Sequence, residues 1–168
     1  MFRSSDKQAY AANFFKRGCR NTVLCGAKGS GKSSIGLRAF VLWASTEFRD
    51  EKFILCAKTW LQIRDVFEPE VGAIAASIDR SCRSQSHLKG HHWTIPSFLG
   101  GWNTFTISVF GEGENPVKRL IGPTYQGAYV DEANNMQKSY RQELNSRVRR
   151  PHSRIVWTLN PDAEKHTF

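Results

Sequence analysis

Short apolar runs and longer amphipathic stretches take turns along this chain. The apolar runs are strand-sized: Asn21 to Cys25 (NTVLC), Lys52 to Ala57 (KFILCA), Ala128 to Asp131 and Arg154 to Leu159 (RIVWTL). KFILCA is apolar enough for burial on both faces, as a parallel sheet requires. Between these runs, residues 32 to 47 carry Ile35, Ala39, Leu42 and Trp43 at spacings of three and four. That spacing predicts a helix with those four side chains on one face. Residues 60 to 80 and 136 to 149 also predict helices; Pro69 starts a new segment in the first or kinks it, and Pro151 ends the second. Residues 6 to 17 predict a short helix with Asp6 as its N-cap.

The stretch from 81 to 126 has a different rhythm. HHWTIP and TFTISVF alternate in the manner of strands on either side of Gly100-Gly101. GEGENP, residues 111 to 116, reads as a turn, and Lys118 to Ile121 predicts one more short strand. Strands alternating with helices predict an α/β domain with a mainly parallel sheet flanked by helices. The β-rich middle reads as an insertion added to that sheet ahead of strand 128 to 131.

Composition narrows the class. The 168 residues suffice for one domain with a proper core, and 40% hydrophobic with 23% charged residues is a globular balance. No apolar run approaches the ~20 residues of a membrane span, and MFRSSDKQAYAANFFKRG has no secretory pattern. The expectation is a soluble, intracellular protein. Cys19, Cys25, Cys56 and Cys82 form no CxxC pair, and Cys25 and Cys56 read as small buried hydrophobes. Cys82, His87, His91 and His92 match no standard zinc spacing. The net charge of +9 favours a polyanion partner, nucleic acid first, although the basic residues are spread along the chain.

The chemistry begins at GAKGSGKSS, residues 26 to 34. Gly26-x4-Gly31-Lys32-Ser33 satisfies G-x-x-x-x-G-K-[ST], with a strand before it and a helix after it. Gly26, Gly29 and Gly31 remove side chains where the N–H groups of the loop, through Ser30 and Ser34, must face phosphate oxygens. Lys32 would reach the β- and γ-phosphates of ATP, and Ser33 would hold Mg²⁺. A second lysine, Lys28, stands inside the loop. Downstream, Asp131-Glu132 follows the apolar run Ala128-Tyr129-Val130. Alternation along a strand would point the two carboxylates different ways. Asp131 can then serve the metal, and Glu132 can orient or deprotonate an attacking water. A glutamate in that place argues for hydrolysis. Finally, Thr158 and Asn160 in TLNP end the last strand, where ligands of parallel sheets bind, so both are expected near the γ-phosphate, with Asn160 as its sensor.

In order, GAKGSGKS, a β-rich stretch, IGPTYQGAYVDEANNM and TLNP resemble the ATPase domain of the large terminase subunit of tailed bacteriophages, over about residues 8 to 161. The resemblance implies a RecA-like, additional-strand P-loop fold. It implies a motor that couples Mg-ATP hydrolysis to moving double-stranded DNA into a prohead in the host cytoplasm. The implied partners are the portal or prohead, the small terminase subunit and further copies of the chain in a ring, with slow turnover by an isolated monomer. Terminases often carry an arginine where this chain has Lys28, which makes Lys28 a candidate γ-phosphate cation. Arg119 is the best positional match for an arginine supplied to a neighbouring subunit, with Arg147, Arg149 and Arg150 as rivals. Gln8, with Phe14 or Phe15, matches an adenine-binding position. No nuclease-like carboxylate cluster occurs, so an ATPase domain of a longer protein is expected. Two other classes remain open at this stage: a helicase-like or AAA-type ATPase acting on another substrate, and a non-catalytic, nucleotide-gated DNA-binding scaffold.

Overall fold

The structure is a computed structural model; it describes residues 13–27, 29–84, 88–113 and 115–160, together with Asp6 and Tyr10. Its strands are β1 (Asn21–Cys25), β2 (Lys52–Ala57), β3 (Leu88–Lys89), β4 (His92–Pro96), β5 (Trp102–Val109), β6 (Gly127–Val130) and β7 (Arg154–Leu159). Its α-helices are α1 (Lys32–Glu47), α2 (Trp60–Gln62), α3 (Glu68–Ile78) and α4 (Lys138–Arg147). The strands form one sheet in the order β1-β7-β6-β2-β5-β4-β3. The first five in that order pair in parallel, and β4 and β3 extend the sheet antiparallel from β5. The β-rich middle is therefore continuous with the main sheet. β7 lies between the strand that leads into the glycine loop and the strand that ends in the acid pair. This is the additional-strand arrangement of a RecA-like P-loop domain.

Alternation along the central strands divides the core in two. Phe53, Leu55 and Ala57 of β2, Tyr129 of β6 and Val156 of β7 pack on one face with Leu37 and Phe40 of α1 and Val71 and Ile74 of α3. Ile54, Cys56, Ala128, Val130, Ile155 and Trp157 pack on the other with Tyr140 and Leu144 of α4. On that second face the Tyr140 hydroxyl donates to Ser108 Oγ at 2.6 Å, and burial pushes the Cys56 thiol up to about 12.

Several sequence expectations are corrected here. The buried face of α1 includes Gly36, Leu37, Phe40, Val41 and Ala44 besides Ala39 and Trp43, while Leu42 is exposed. The sheet covers a wider arc than the predicted stripe, and Leu42 faces outward from it. Cys25 is exposed, because β1 is an edge strand on which only Leu24 is buried. Lys118 to Ile121 is no strand: Pro116–Leu120 forms a 3₁₀ turn, started by Pro116, whose fixed φ suits a helical turn. Of the two roles open to Pro69, it takes the first: it stands in the opening turn of α3 and so starts a new segment, preceded by a π-helical turn at Ile63–Phe67. Within 6–17, Asp6 and Tyr10 have α-helical backbone, as expected, and Asn13–Arg17 forms a 3₁₀ turn.

Candidate nucleotide site at the carboxyl edge of the sheet

The ends of β1, β7, β6, β2 and β5 release their chains along one edge, and the sequence-predicted chemistry gathers there. β1 runs into the glycine loop, where Gly29 (φ 79°) and Gly31 (φ 75°) adopt left-handed backbone that side chains resist. Gly31 is the N-cap of α1 and has no side-chain cap, and no acidic residue stands in the first turn. The first N–H groups of α1 are thus left for an anion. Lys32 Nζ folds across the loop and donates to the Ala27 carbonyl at 3.3 Å. Ser30 N–H donates to the same carbonyl at 3.2 Å, closing the turn. Ser34 lies half-buried in the first turn of α1. A Cβ on Gly26 would stand 3.1 Å from Ser30 Oγ, so the loop folds tightly at that point.

β6 delivers the acids. Asp131 is 1% exposed and carries three hydrogen bonds. Ser33 Oγ donates to its Oδ1 at 2.8 Å, Gln62 Nε2 donates to its Oδ2 at 2.5 Å, and the Thr158 hydroxyl donates to Oδ1. From the strand itself, the Tyr129 hydroxyl donates to the Ser33 carbonyl at 2.9 Å and ties β6 to the start of α1. Burial first, and the Asp131 charge second, raise the Tyr129 phenol well above its usual range, so it remains a donor.

The two carboxylates have different partners, and Glu132 lies beyond the alternating strand. β6 ends at Val130, and Glu132 adopts left-handed backbone (φ 52°, ψ 44°). A non-glycine residue there costs on the order of 1–2 kcal/mol, and the Glu132 N–H to Thr158 Oγ1 bond at 3.1 Å helps to hold it. Glu132 is half-buried, and Asn135 Nδ2 lies 3.5 Å from its Oε2.

Thr158 is 0% exposed and bonds both members of the acid pair. Asn160, two residues on, lies at the edge. Its backbone N–H approaches Asn134 Oδ1 at 3.5 Å, and its own Oδ1 is buried without a hydrogen-bond partner among the described residues.

An open cavity of about 390 Å³ runs beside the loop, lined by Ser33, Lys58, Thr59, Gln62, Asp131 and Glu132 among others. Gln62 and Thr59 were not singled out in the sequence. Thr59 caps α2, its hydroxyl accepting from Gln62 N–H at 3.2 Å, while Gln62 Oε1 accepts from Lys58 N–H at 3.1 Å. The available signal was topological: β2 neighbours β6, so the residues after each strand must meet.

Other expected site residues lie elsewhere. Arg119 is exposed in the Pro116–Leu120 turn, and its Nη1 donates to the Val109 carbonyl at the end of β5 at 3.3 Å. It shares the carboxyl edge but does not line the cavity. Arg147 pairs with Glu143 at 2.7 Å in the last turn of α4, and Arg150 pairs with Glu51 at 3.0 Å. Phe15 packs against the core. Lys28 and Gln8 lie outside the described residues, as does the side chain of Phe14.

With this geometry in place, comparison with solved structures is informative. The large terminase of the thermophilic bacteriophage D6E in complex with ATP-γ-S superposes with a TM-score of 0.75 at 20% identity, covering 95% of this chain and 38% of that one. The chain has the fold of a large-terminase ATPase domain. The HK97 bacteriophage large terminase gives a TM-score of 0.68 at 13% identity, covering 94% of this chain and 33% of that one. The ATPase domain of the Thermus phage P74-26 large terminase gives 0.55 at 14% identity, covering 98% and 72%. This chain thus spans well under half the length of the D6E and HK97 proteins. No protein-family model and no curated protein matches it. Among the described residues, no helix is long and apolar enough to cross a membrane.

Proposed function

We propose that this chain is a single ATPase domain that hydrolyses Mg-ATP as the motor of a DNA-packaging terminase, acting on double-stranded DNA in the host cytoplasm. The observation that supports this most is the meeting of Ser33 and Asp131 at 2.8 Å, with Glu132 beside them on the same cavity. That contact joins segments 98 residues apart in the sequence. The D6E neighbour of the same fold was solved with ATP-γ-S, a thio analogue of ATP.

Ser33 and Asp131 offer two oxygen ligands side by side, one of them a buried carboxylate already fixed by donors, which suits Mg²⁺. When bound there, Mg²⁺ would neutralise charge on the β- and γ-phosphate oxygens. The N–H groups from Gly29 to Ser34 cradle the phosphates, and Lys32 turns from the Ala27 carbonyl to them. Glu132, set apart from Asp131 by its left-handed backbone, orients the attacking water and takes its proton. Asn160, whose oxygen has no partner among the described residues, reads whether the γ-phosphate is present. Lys28 adds a second cation from within the loop, and Arg119 reaches a neighbouring copy's site in the ring. The portal or prohead and the small terminase subunit complete the assembly.

Glu132→Gln tests this directly. Turnover should fall by about 10²–10⁴-fold, the usual range for a general base, while ATP affinity by calorimetry stays near wild type. Unchanged turnover would remove Glu132 from the chemistry.

A further inference from the structure

The opposite edge of the sheet, where the parallel strands begin, carries a second site. Strands β1 and β7 are neighbours, so the segments that enter them meet. There a cavity of about 400 Å³ is lined by Arg20, Arg149, Arg150, His152 and Arg154 with Gly18 and Ser153. Among the described residues, no acidic and no apolar side chain lines it. It lies about 20 Å from the nucleotide edge, the length of a six-residue strand.

Three of the four arginines are held in place. Arg20 Nη2 donates to the Val148 carbonyl at 2.6 Å and to Asn145 at 3.3 Å, closing the carboxyl end of α4. Arg154 Nη1 donates to the Cys19 carbonyl at 3.3 Å, and its guanidinium stands 5.7 Å from the Trp43 ring centroid. Arg150 is fixed by Glu51, and the turn that carries it closes through Ser153 N–H to the Arg150 carbonyl at 3.1 Å. Each guanidinium has five N–H donors, so these bonds orient Arg20 and Arg150 without using every donor. Arg149 projects exposed from the same turn. Four arginines, three of them held, against one paired carboxylate make a positive concavity.

We propose that this cavity grips the phosphodiester backbone of double-stranded DNA. Guanidinium forks match phosphate oxygens in pairs. The described lining holds no aromatic or aliphatic anchor of the kind on which protein partners depend. Among the described residues, no Phe, Tyr or Trp platform on which unpaired bases stack lines it, which favours a duplex over a single strand. Contacts of this kind position a duplex without reading its sequence. The inference bears on the polymer of the proposed motor, but it rests on the arginine edge and not on hydrolysis.

The test is fluorescence anisotropy of the whole chain with a labelled 20-bp duplex of random sequence across a salt series. Arg149→Ala should lower the slope of log K against log salt by about 1, and Arg149→Ala/Arg150→Ala by about 2, with roughly tenfold weaker binding in the double variant. Lys138→Ala, which removes a charge from the start of α4, should change neither. An oligo-dT of the same length should compete less well than unlabelled duplex, and millimolar inorganic phosphate should barely compete. If oligo-dT or inorganic phosphate displaces the duplex as readily, the duplex assignment is wrong. If both arginine variants melt like wild type and keep its affinity and slope, the site itself is wrong; should the double variant melt early, Arg149→Ala alone decides. Lys32→Ala should bind the duplex normally, which separates failure of this site from failure of the ATPase reading.

Discussion

The two edges of one sheet solve opposite electrostatic problems. At the carboxyl edge a carboxylate is buried, and neutral donors from three other segments hold it: Ser33, Gln62 and Thr158. At the amino edge four guanidiniums surround an open cavity, and backbone carbonyls and one glutamate hold most of them. Burial makes the first arrangement sensitive, because a buried charge that loses a donor stays buried. Exposure makes the second tolerant, because an exposed arginine that loses a contact is solvated by water. The carboxyl edge should therefore respond to single-atom changes, and the amino edge in small additive steps.

The sharpest separation of the edges comes from Lys32→Ala. It should abolish nucleotide binding, measured by titration with a fluorescent ATP analogue, and leave the melting temperature near wild type. Retained hydrolysis would show that the phosphates bind elsewhere. Next in size, Gln62→Ala removes a donor from Asp131 without touching any nucleotide ligand named from the sequence. The Mg²⁺ concentration for half-maximal turnover should rise about 10–100-fold, as for other groups that orient a metal ligand, while ATP affinity without metal stays unchanged. An equal loss of metal-free ATP affinity would make Gln62 a nucleotide contact.

Thr158→Val probes stability more than binding. It keeps the shape but strips Asp131 of one donor and leaves the Glu132 N–H unpaired, at a cost of about 1–3 kcal/mol. For a chain of this size that is a drop of about 3–10 °C in melting temperature by calorimetry. No change in melting would mean that water replaces the hydroxyl and that Asp131 is less isolated than its 1% exposure implies.

Much of the carboxyl edge was legible in the sequence because its chemistry is local. The glycine loop announces itself through spacing, and Asp131-Glu132 through an apolar run that stops at two acids. What the sequence hid depends on which strands are neighbours. Gln62 meets Asp131 only because β2 lies beside β6, and Thr158 turns inward only because β7 lies on the other side of it. Cys25 was misread because a five-residue apolar run looks the same in a central strand and at an edge. A short strand is expected over Lys118 to Ile121, but Pro116 just ahead of it favours a helical turn, and the turn is what forms. The arginine edge was visible only as charge scattered through the chain. Sheet order brings Arg20 beside the 149–154 segment.

The central claim is that the glycine loop and the acid pair form one Mg-ATP site. A crystal structure of the chain with Mg²⁺ and ATP-γ-S tests it most directly. The predicted result has Ser33 and Asp131 on the metal, directly or through its water shell, and the Glu132 carboxylate one water away from the γ-phosphate. An ordered nucleotide whose γ-phosphate lies beyond one water's reach of both Asp131 and Glu132 would contradict it.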